Sequence, residues 1–232
     1  MGARAIGIGN LGDWAQATDA LPVTAGVSGR RTPNGYPVKK RLVDLTLCLL
    51  ALPIALPILA LCALAVRLTS PGPIFFIQDR TGWGGRRFKM IKFRTMVEGA
   101  ADMKAELQSQ NVMGGPDFKL ANDPRVTPVG RLLRKTSLDE APQLWNILRG
   151  DMSLVGPRPT SFAADQYDLW HTERLEVVPG LTGLWQVRGR ADIDFDDRVR
   201  LDIAYVRNRS MALDVSILLR TIPAVLSQRG AF

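Results

Sequence analysis

Residues Leu45–Val66 read LTLCLLALPIALPILALCALAV, 22 positions without a single charge. As an α-helix such a run would be ~33 Å long, enough to cross the hydrocarbon core of a bilayer. Two features argue against a simple crossing. Pro53 and Pro57 stand near the middle, where each removes a backbone hydrogen bond and favours a kink. The flanks are basic on both sides: Arg30, Arg31, Lys39, Lys40 and Arg41 precede the run. Arg67, Arg80, Arg86, Arg87, Lys89, Lys92 and Arg94 follow it, against the lone acid Asp79. Short basic flanks belong in the cytoplasm. Both satisfy that rule when the segment enters the membrane, bends at its prolines and returns to the same face. A single-pass helix with a proline kink is the competing reading, since Pro is tolerated in spanning helices.

Working outward, residues 1–37 are rich in Gly, Ala, Thr and Pro without apolar periodicity and read as a mobile tail. The tail holds a literal G-x-G-x-x-G, Gly7 to Gly12, but only six residues precede it and no amphipathic helix follows. The motif needs a strand before it and a helix after it, so it is rejected as a nucleotide site. The expected organisation is therefore a tail (1–37), a basic flank with the membrane helix (38–69), and a globular domain (70–232). The net charge of +8 calls for an anionic partner: nucleic acid, lipid head groups or phosphorylated substrates. Cys48 and Cys62 lie inside the apolar run, which excludes a disulfide framework. A single histidine, His171, excludes a His-rich metal site and reads as a helix-surface residue.

Past the turn Ser70-Pro71-Gly72-Pro73, Ile74–Gln78 and Arg87–Phe93 read as a β-hairpin around Thr81–Gly85. Val97–Gln110 reads as a polar helix, Asn111–Asp117 as a loop, and Gly130–Arg149 as helix on either side of a junction at Thr136–Glu140. Gly156–Pro159 is stiff extended chain, Ser161–Val177 an amphipathic helix and Pro179–Arg190 a Gly-rich loop. In that loop Trp185 reads as buried in preference to stacking on a base. Leu213–Leu226 has helical apolar spacing and either packs on the core or lies on a membrane surface. The fold class expected is α+β, mainly helical, with one short hairpin.

The chemistry concentrates in Gly130–Pro159, GRLLRKTSLDEAPQLWNILRGDMSLVGPRP. The adjacent carboxylates Asp139 and Glu140 stand between Arg131, Arg134 and Lys135 on one side and Arg158 on the other. Paired carboxylates among fixed cations suit chemistry on a phosphate held with a divalent metal, where a carboxylate ligates the ion or attacks phosphorus. The same residues, Ser137-Leu138-Asp139-Glu140, also fit an S-x-x-E capping box. The two readings are compatible, because a capped helix start would hold the dyad rigidly.

TSLDEAPQLWNILRGDMSLVGPRP, with KRLVD and KFRTM before it and PGLTGLWQVRGR after it, resembles the bacterial sugar transferase family from about Lys39 to the C-terminus. These are monotopic phosphoglycosyl transferases that load a sugar-phosphate onto a polyprenyl phosphate. The resemblance implies a re-entrant helix kinked at Pro53 and Pro57, although Leu56 stands where a serine is familiar before the bend. It implies that Asp139 is the nucleophile, that Glu140 helps it hold Mg²⁺, and that Arg134 and Arg158 contact phosphate. Lys92 matches a basic position beside the site and Asp202 a further active-site carboxylate. The implied reaction moves a hexose-1-phosphate from UDP-glucose or UDP-galactose to undecaprenyl phosphate with release of UMP, as the first membrane step of exopolysaccharide synthesis. It places the chain on the cytoplasmic face of the bacterial inner membrane among membrane lipids, and a homodimer is compatible with it. The rival is a non-catalytic, basic, membrane-tethered binding or scaffold protein. A nucleic-acid partner is not expected, because neither a helix-turn-helix nor basic residues interleaved with exposed aromatics occur.

Overall fold

The computed structural model describes residues 35–111, 118, 120, 122–188 and 194–227. The expected tail, up to residue 34, lies outside the described residues, as do most of the loop at 111–117 and the end of the Gly-rich segment. The fold is mainly helical with one short hairpin. Helix α1 (Tyr36–Thr69) is a single 34-residue helix that contains Pro53 and Pro57 and takes in the basic residues Lys39–Arg41. Its leucines and isoleucines point outward along its length, among them Leu42, Leu50, Ile54, Leu61 and Leu68. A soluble helix would usually cover such a surface; this one leaves it exposed, and it is long and apolar enough to cross a membrane.

Both halves of α1 rest on the same globular body. In the first half Tyr36 and Lys40 hydrogen-bond to Asp214 at 2.8 and 2.9 Å. Asp44 accepts from Ser153 Oγ (2.7 Å) and from the Leu154 amide (3.2 Å). Arg41 donates to the carbonyls of Ile147 and Leu148, the last turn of a short helix where a cation is favoured. Cys48 is buried with Met90, Ile147 and Met152. In the second half Cys62 and Val66 pack with Phe93 and Leu133. The two cysteines are thus small core residues at the helix–domain seam.

The turn after α1 leads into β1 (Phe75–Thr81) and β2 (Arg87–Phe93), an antiparallel hairpin that pairs Phe76 with Lys92 and Arg80 with Phe88. The stretch expected as a polar helix, Val97–Gln110, forms only turns and two three-residue 3₁₀ segments. Helix α2 (Pro128–Thr136) follows, with Pro128 in its first turn and Thr127 as its cap, accepting from the Gly130 amide at 2.9 Å. A 3₁₀ segment, Leu138–Gln143, joins it to α3 (Leu144–Arg149). Strand β3 (Ser153–Val155) pairs in parallel with β4 (Gly180–Thr182), a pairing that the sequence reading lacks. The amphipathic helix expected at Ser161–Val177 is instead bends and 3₁₀ turns, Ala164–Gln166 and Leu169–Glu176. Helix α4 (Leu184–Arg188) occupies part of the expected Gly-rich loop. Helices α5 (Phe195–Asn208) and α6 (Met211–Leu226) close the chain. On α6, Ile217 enters the core with Tyr205 and Val155, while Val215, Leu219, Ile222 and Leu226 stay exposed. His171 is buried, not on a helix surface: its Nδ1 accepts from the Asp168 amide at 3.2 Å.

Helix α2 presses on the backbone after β2. A Cβ on Gly130 would lie 2.1 Å from the Thr95 carbonyl oxygen, and neither side is a flexible side-chain end. Gly130→Ala is therefore expected to cost about 2 kcal/mol, the scale of overpacking a tight contact. Thermal unfolding of the detergent-solubilised protein checks this; an unchanged midpoint would show that the helix is not seated on Thr95.

Candidate active site

The dyad is delivered by a break between helices. Helix α2 runs to Thr136, so Ser137 becomes its C-cap with a left-handed backbone (φ 59°), the only described non-glycine residue at positive φ. An N-cap needs an extended backbone, and the Ser137 side chain makes no capping bond. The capping box read from the sequence does not form. The left-handed residue instead turns the chain sharply, so that Asp139 and Glu140 open the 3₁₀ segment at the wall of a cavity of about 680 Å³. That volume suits a nucleotide-sized ligand.

Three of the expected site residues, Lys92, Arg158 and Arg134, gather with Asp139 and Glu140 there. Lys92, near the end of β2, places Nζ 2.7 Å from Glu140 Oε1. Arg158, held between Pro157 and Pro159, grips both oxygens of the same carboxylate, with Nη1 at 3.1 Å from Oε2 and Nη2 on Oε1. Arg134 lines the cavity with Nε donating to Thr95 Oγ1 at 2.9 Å. Asp139 lines the same cavity, and no hydrogen bond or ion pair from a described residue ties its carboxylate down.

The two carboxyls are driven apart electrically. Burial raises Asp139, and the Glu140 charge raises it further, to about 6, outweighing Lys92, Arg134 and Arg158. Burial would raise Glu140 too, but Arg158 and Lys92 more than offset it and hold the group well below the usual carboxylate range. The result is a dyad with one carboxylate neutralised by two cations and one that no described residue pairs. Lys92 is itself pushed down by burial, against the pull of Glu140.

Asp202 lies elsewhere. It is fully buried on α5 and does not reach the cavity wall. Its Oδ2 accepts from Arg174 Nε at 3.1 Å and also from Arg174 Nη2, and burial pushes its carboxyl up to about 6. Arg174 Nη2 donates in turn to the Arg158 carbonyl at 2.6 Å. Asp202 thus orients Arg174, and Arg174 fixes the backbone that carries Arg158. Sequence reasoning missed Arg174, since nothing local separates it from a surface arginine. It also gave no role to Thr95, although the KFRTM motif contains it. Trp185 is buried as expected and walls the cavity, with the Arg198 guanidinium 5.4 Å from its ring centre.

Among the described residues, no three His, Cys, Asp or Glu side chains gather as a metal site. A Mg²⁺ ion commonly takes one or two carboxylates and completes its shell with substrate phosphate and water. Asp139, with its oxygens open to the cavity, fits that requirement; Glu140 would first have to release Lys92 or Arg158.

Removing the two acids should have opposite effects on stability. Glu140→Ala leaves Lys92 and Arg158 facing each other without a counter-charge and is expected to cost about 2 kcal/mol. The folded state disfavours ionised Asp139, so Asp139→Asn should leave stability unchanged or raise it by about 1 kcal/mol at neutral pH. Thermal unfolding of both variants tests the asymmetry, and equal losses would contradict it.

With that geometry in place, comparison with known proteins is informative. The profile of the family described as bacterial sugar transferase matches residues 35–228. The exopolysaccharide production protein ExoY of Rhizobium meliloti (strain 1021) is 42% identical over 200 residues, covering 83% of this chain and 88% of that protein. The UDP-glucose:undecaprenyl-phosphate glucose-1-phosphate transferase of Caulobacter vibrioides is 42% identical over 206 residues, covering 84% and 72%. The undecaprenyl-phosphate galactose phosphotransferase of Salmonella typhimurium is 42% identical over 200 residues, covering 83% of this chain but 41% of that protein. The chain thus spans less than half the length of some relatives and most of others. Matched over most of its described length, the chain belongs to the bacterial sugar transferase family.

Proposed function

We propose that this protein transfers a hexose-1-phosphate from UDP-glucose or UDP-galactose to undecaprenyl phosphate through a covalent intermediate on Asp139. The observation that carries the reading is the unpaired Asp139 carboxylate, facing a cavity among Lys92, Arg134 and Arg158 beside a lipid-facing helix. The names of the relatives from Caulobacter and Salmonella supply the donor and acceptor classes. An Asp139 oxygen attacks the sugar-bearing phosphorus, the bond to the bridging oxygen breaks, and UMP leaves. An oxygen of undecaprenyl phosphate then attacks the same phosphorus, the bond to Asp139 breaks, and polyprenyl-diphosphate hexose results. A carboxylate attacks as its anion and carries no proton to remove, so no general base is required.

Arg158 and Lys92, oriented by Glu140, and Arg134, oriented by Thr95, lower the repulsion between the anionic nucleophile and the diphosphate. Mg²⁺, held by Asp139, would supply further charge neutralisation on the phosphate oxygens. A basic scaffold or nucleic-acid binder would display its cations outward; these are turned inward onto a carboxylate dyad.

The membrane arrangement follows from α1. Residues up to Cys48 and from Leu59 onward contact one and the same globular body. A helix crossing the bilayer would carry one of those contact zones to the opposite side. That supports a monotopic placement, with α1 entering and leaving one leaflet and bending at Pro53 and Pro57. Positive flanks on both sides favour the cytoplasmic face.

Asp139→Asn should abolish both UMP release and the trapping of labelled sugar-phosphate on the protein, a loss of roughly a thousandfold or more. Near-native turnover in that variant would rule out the covalent route. For topology, single cysteines at Lys39 and Thr69, in a background with Cys48 and Cys62 replaced by serine, should both react from the cytoplasmic side of oriented vesicles. Labelling from opposite sides would establish a spanning helix.

A further inference from the structure

The wall of the catalytic cavity changes character along β1. Side chains alternate across a strand, and positions 76, 78 and 80 all line the cavity. In order they are Phe76, Gln78 and Arg80. The cationic end, at Arg80, adjoins Arg158 and Trp185 in a smaller neighbouring pocket. The apolar end, at Phe76, lies near the start of β1, six residues after Ser70 at the end of α1.

The placement of that apolar end is enforced. Arg94 binds the Ser70 carbonyl (2.8 Å), Ser70 Oγ (2.8 Å) and the Pro71 carbonyl, tying the exit of α1 to the end of β2. Gly72 has φ 103°, and a Cβ there would strike the Arg94 guanidinium, so the turn accepts little but glycine. Two residues beyond that turn β1 begins, and Phe76 pairs directly with Lys92, the cation on Glu140. Phe76 is 49% exposed, and exposed Pro73 and Val97 line the cavity beside it. Exposed Pro73, Phe76 and Val97 therefore form an apolar lip on the cavity wall, one strand spacing from Lys92, the cation on Glu140.

We infer that Phe76, with Pro73 and Val97, seats the first isoprene units of the polyprenyl phosphate acceptor, so that the lipid enters at the helix exit and the nucleotide occupies the Arg80–Trp185 end. The inference rests on the proposed transfer reaction and names where each substrate lies. The acceptor is an anion joined to a chain that stays in the bilayer. Its head must reach Asp139 while its tail remains continuous with lipid, and the lip is the apolar path along the cavity wall between them. Phe76 is a positioning residue: it touches the acceptor's chain and not the reacting phosphorus.

The test uses the full chain in mixed micelles, with UDP-glucose and UDP-galactose as donors and undecaprenyl phosphate or a ten-carbon prenyl phosphate as acceptor. Phe76→Ala should raise KM for undecaprenyl phosphate about tenfold, the scale of one lost aromatic contact. KM for the donor, and the burst of UMP formed with donor alone, should move by less than about twofold. Phe76→Leu, which restores apolar surface, should recover most of the acceptor KM. Ile77→Ala removes an equally exposed side chain from the other face of β1 and should match the native protein. An unchanged acceptor KM in Phe76→Ala, or a rise in donor KM of the same size, overturns the assignment; the second result would place the nucleoside on Phe76. If the native protein releases no UMP with either donor, the transfer reading itself fails and takes this assignment with it.

Discussion

Glu140 is the tie on which the site depends. Its carboxylate joins three parts of the chain that are distant in sequence: Lys92 from the hairpin, its own 3₁₀ segment, and Arg158 from the Pro-flanked stretch after β3. Because one acid satisfies both cations, its neighbour stands at the cavity wall without a hydrogen bond or ion pair from any described residue. A desolvated carboxylate without a counter-charge in contact is costly to a fold, and such costs cluster at functional sites. The cost is carried by structure around it. The left-handed Ser137 aims the dyad, Thr95 holds Arg134, and the buried Asp202–Arg174 pair fixes the backbone of Arg158.

The helix that exposes leucine to lipid is also an internal part of the domain. Asp44, placed one residue before a long uncharged run, would be a liability on a free membrane helix. Here it accepts from Ser153 and Leu154 of β3 and is buried against the domain. Tyr36 and Lys40 bind Asp214 at the start of α6, so the first turn of the membrane helix and the last helix of the chain share one polar knot. The long helix and the rest of the domain therefore have little freedom to move apart.

The hairpin links these two themes. One face of β1 continues the apolar exit of α1, and its partner strand carries Lys92 to Glu140. A short two-stranded sheet is a weak element alone. It is held by Phe75 stacked on Phe93, with ring centres 5.4 Å apart, and by Asn146, which donates to the Lys89 carbonyl and accepts from the Ile91 amide.

Sequence alone determined the features that are local or compositional. The uncharged run with its two prolines, the SPGP turn, the hairpin, the helix breaks around Thr136–Glu140 and the rigid GPRP stretch are all written in neighbouring residues. Only the tertiary structure decided which partner each charge would find. Ser137 looks like an N-cap until α2 is seen to reach Thr136. Asp202 looks like a surface or active-site acid until it is found buried on Arg174. Ser161–Val177 has helical spacing but folds as 3₁₀ turns, its Arg174 and His171 drawn into long-range polar contacts. The β3–β4 pair required two glycines, Gly156 and Gly180, to approach closer than any side chain permits. Periodicity and turn chemistry act over a few residues, whereas charge pairing and close backbone approach act across a hundred, and the latter set where Asp139 stands free.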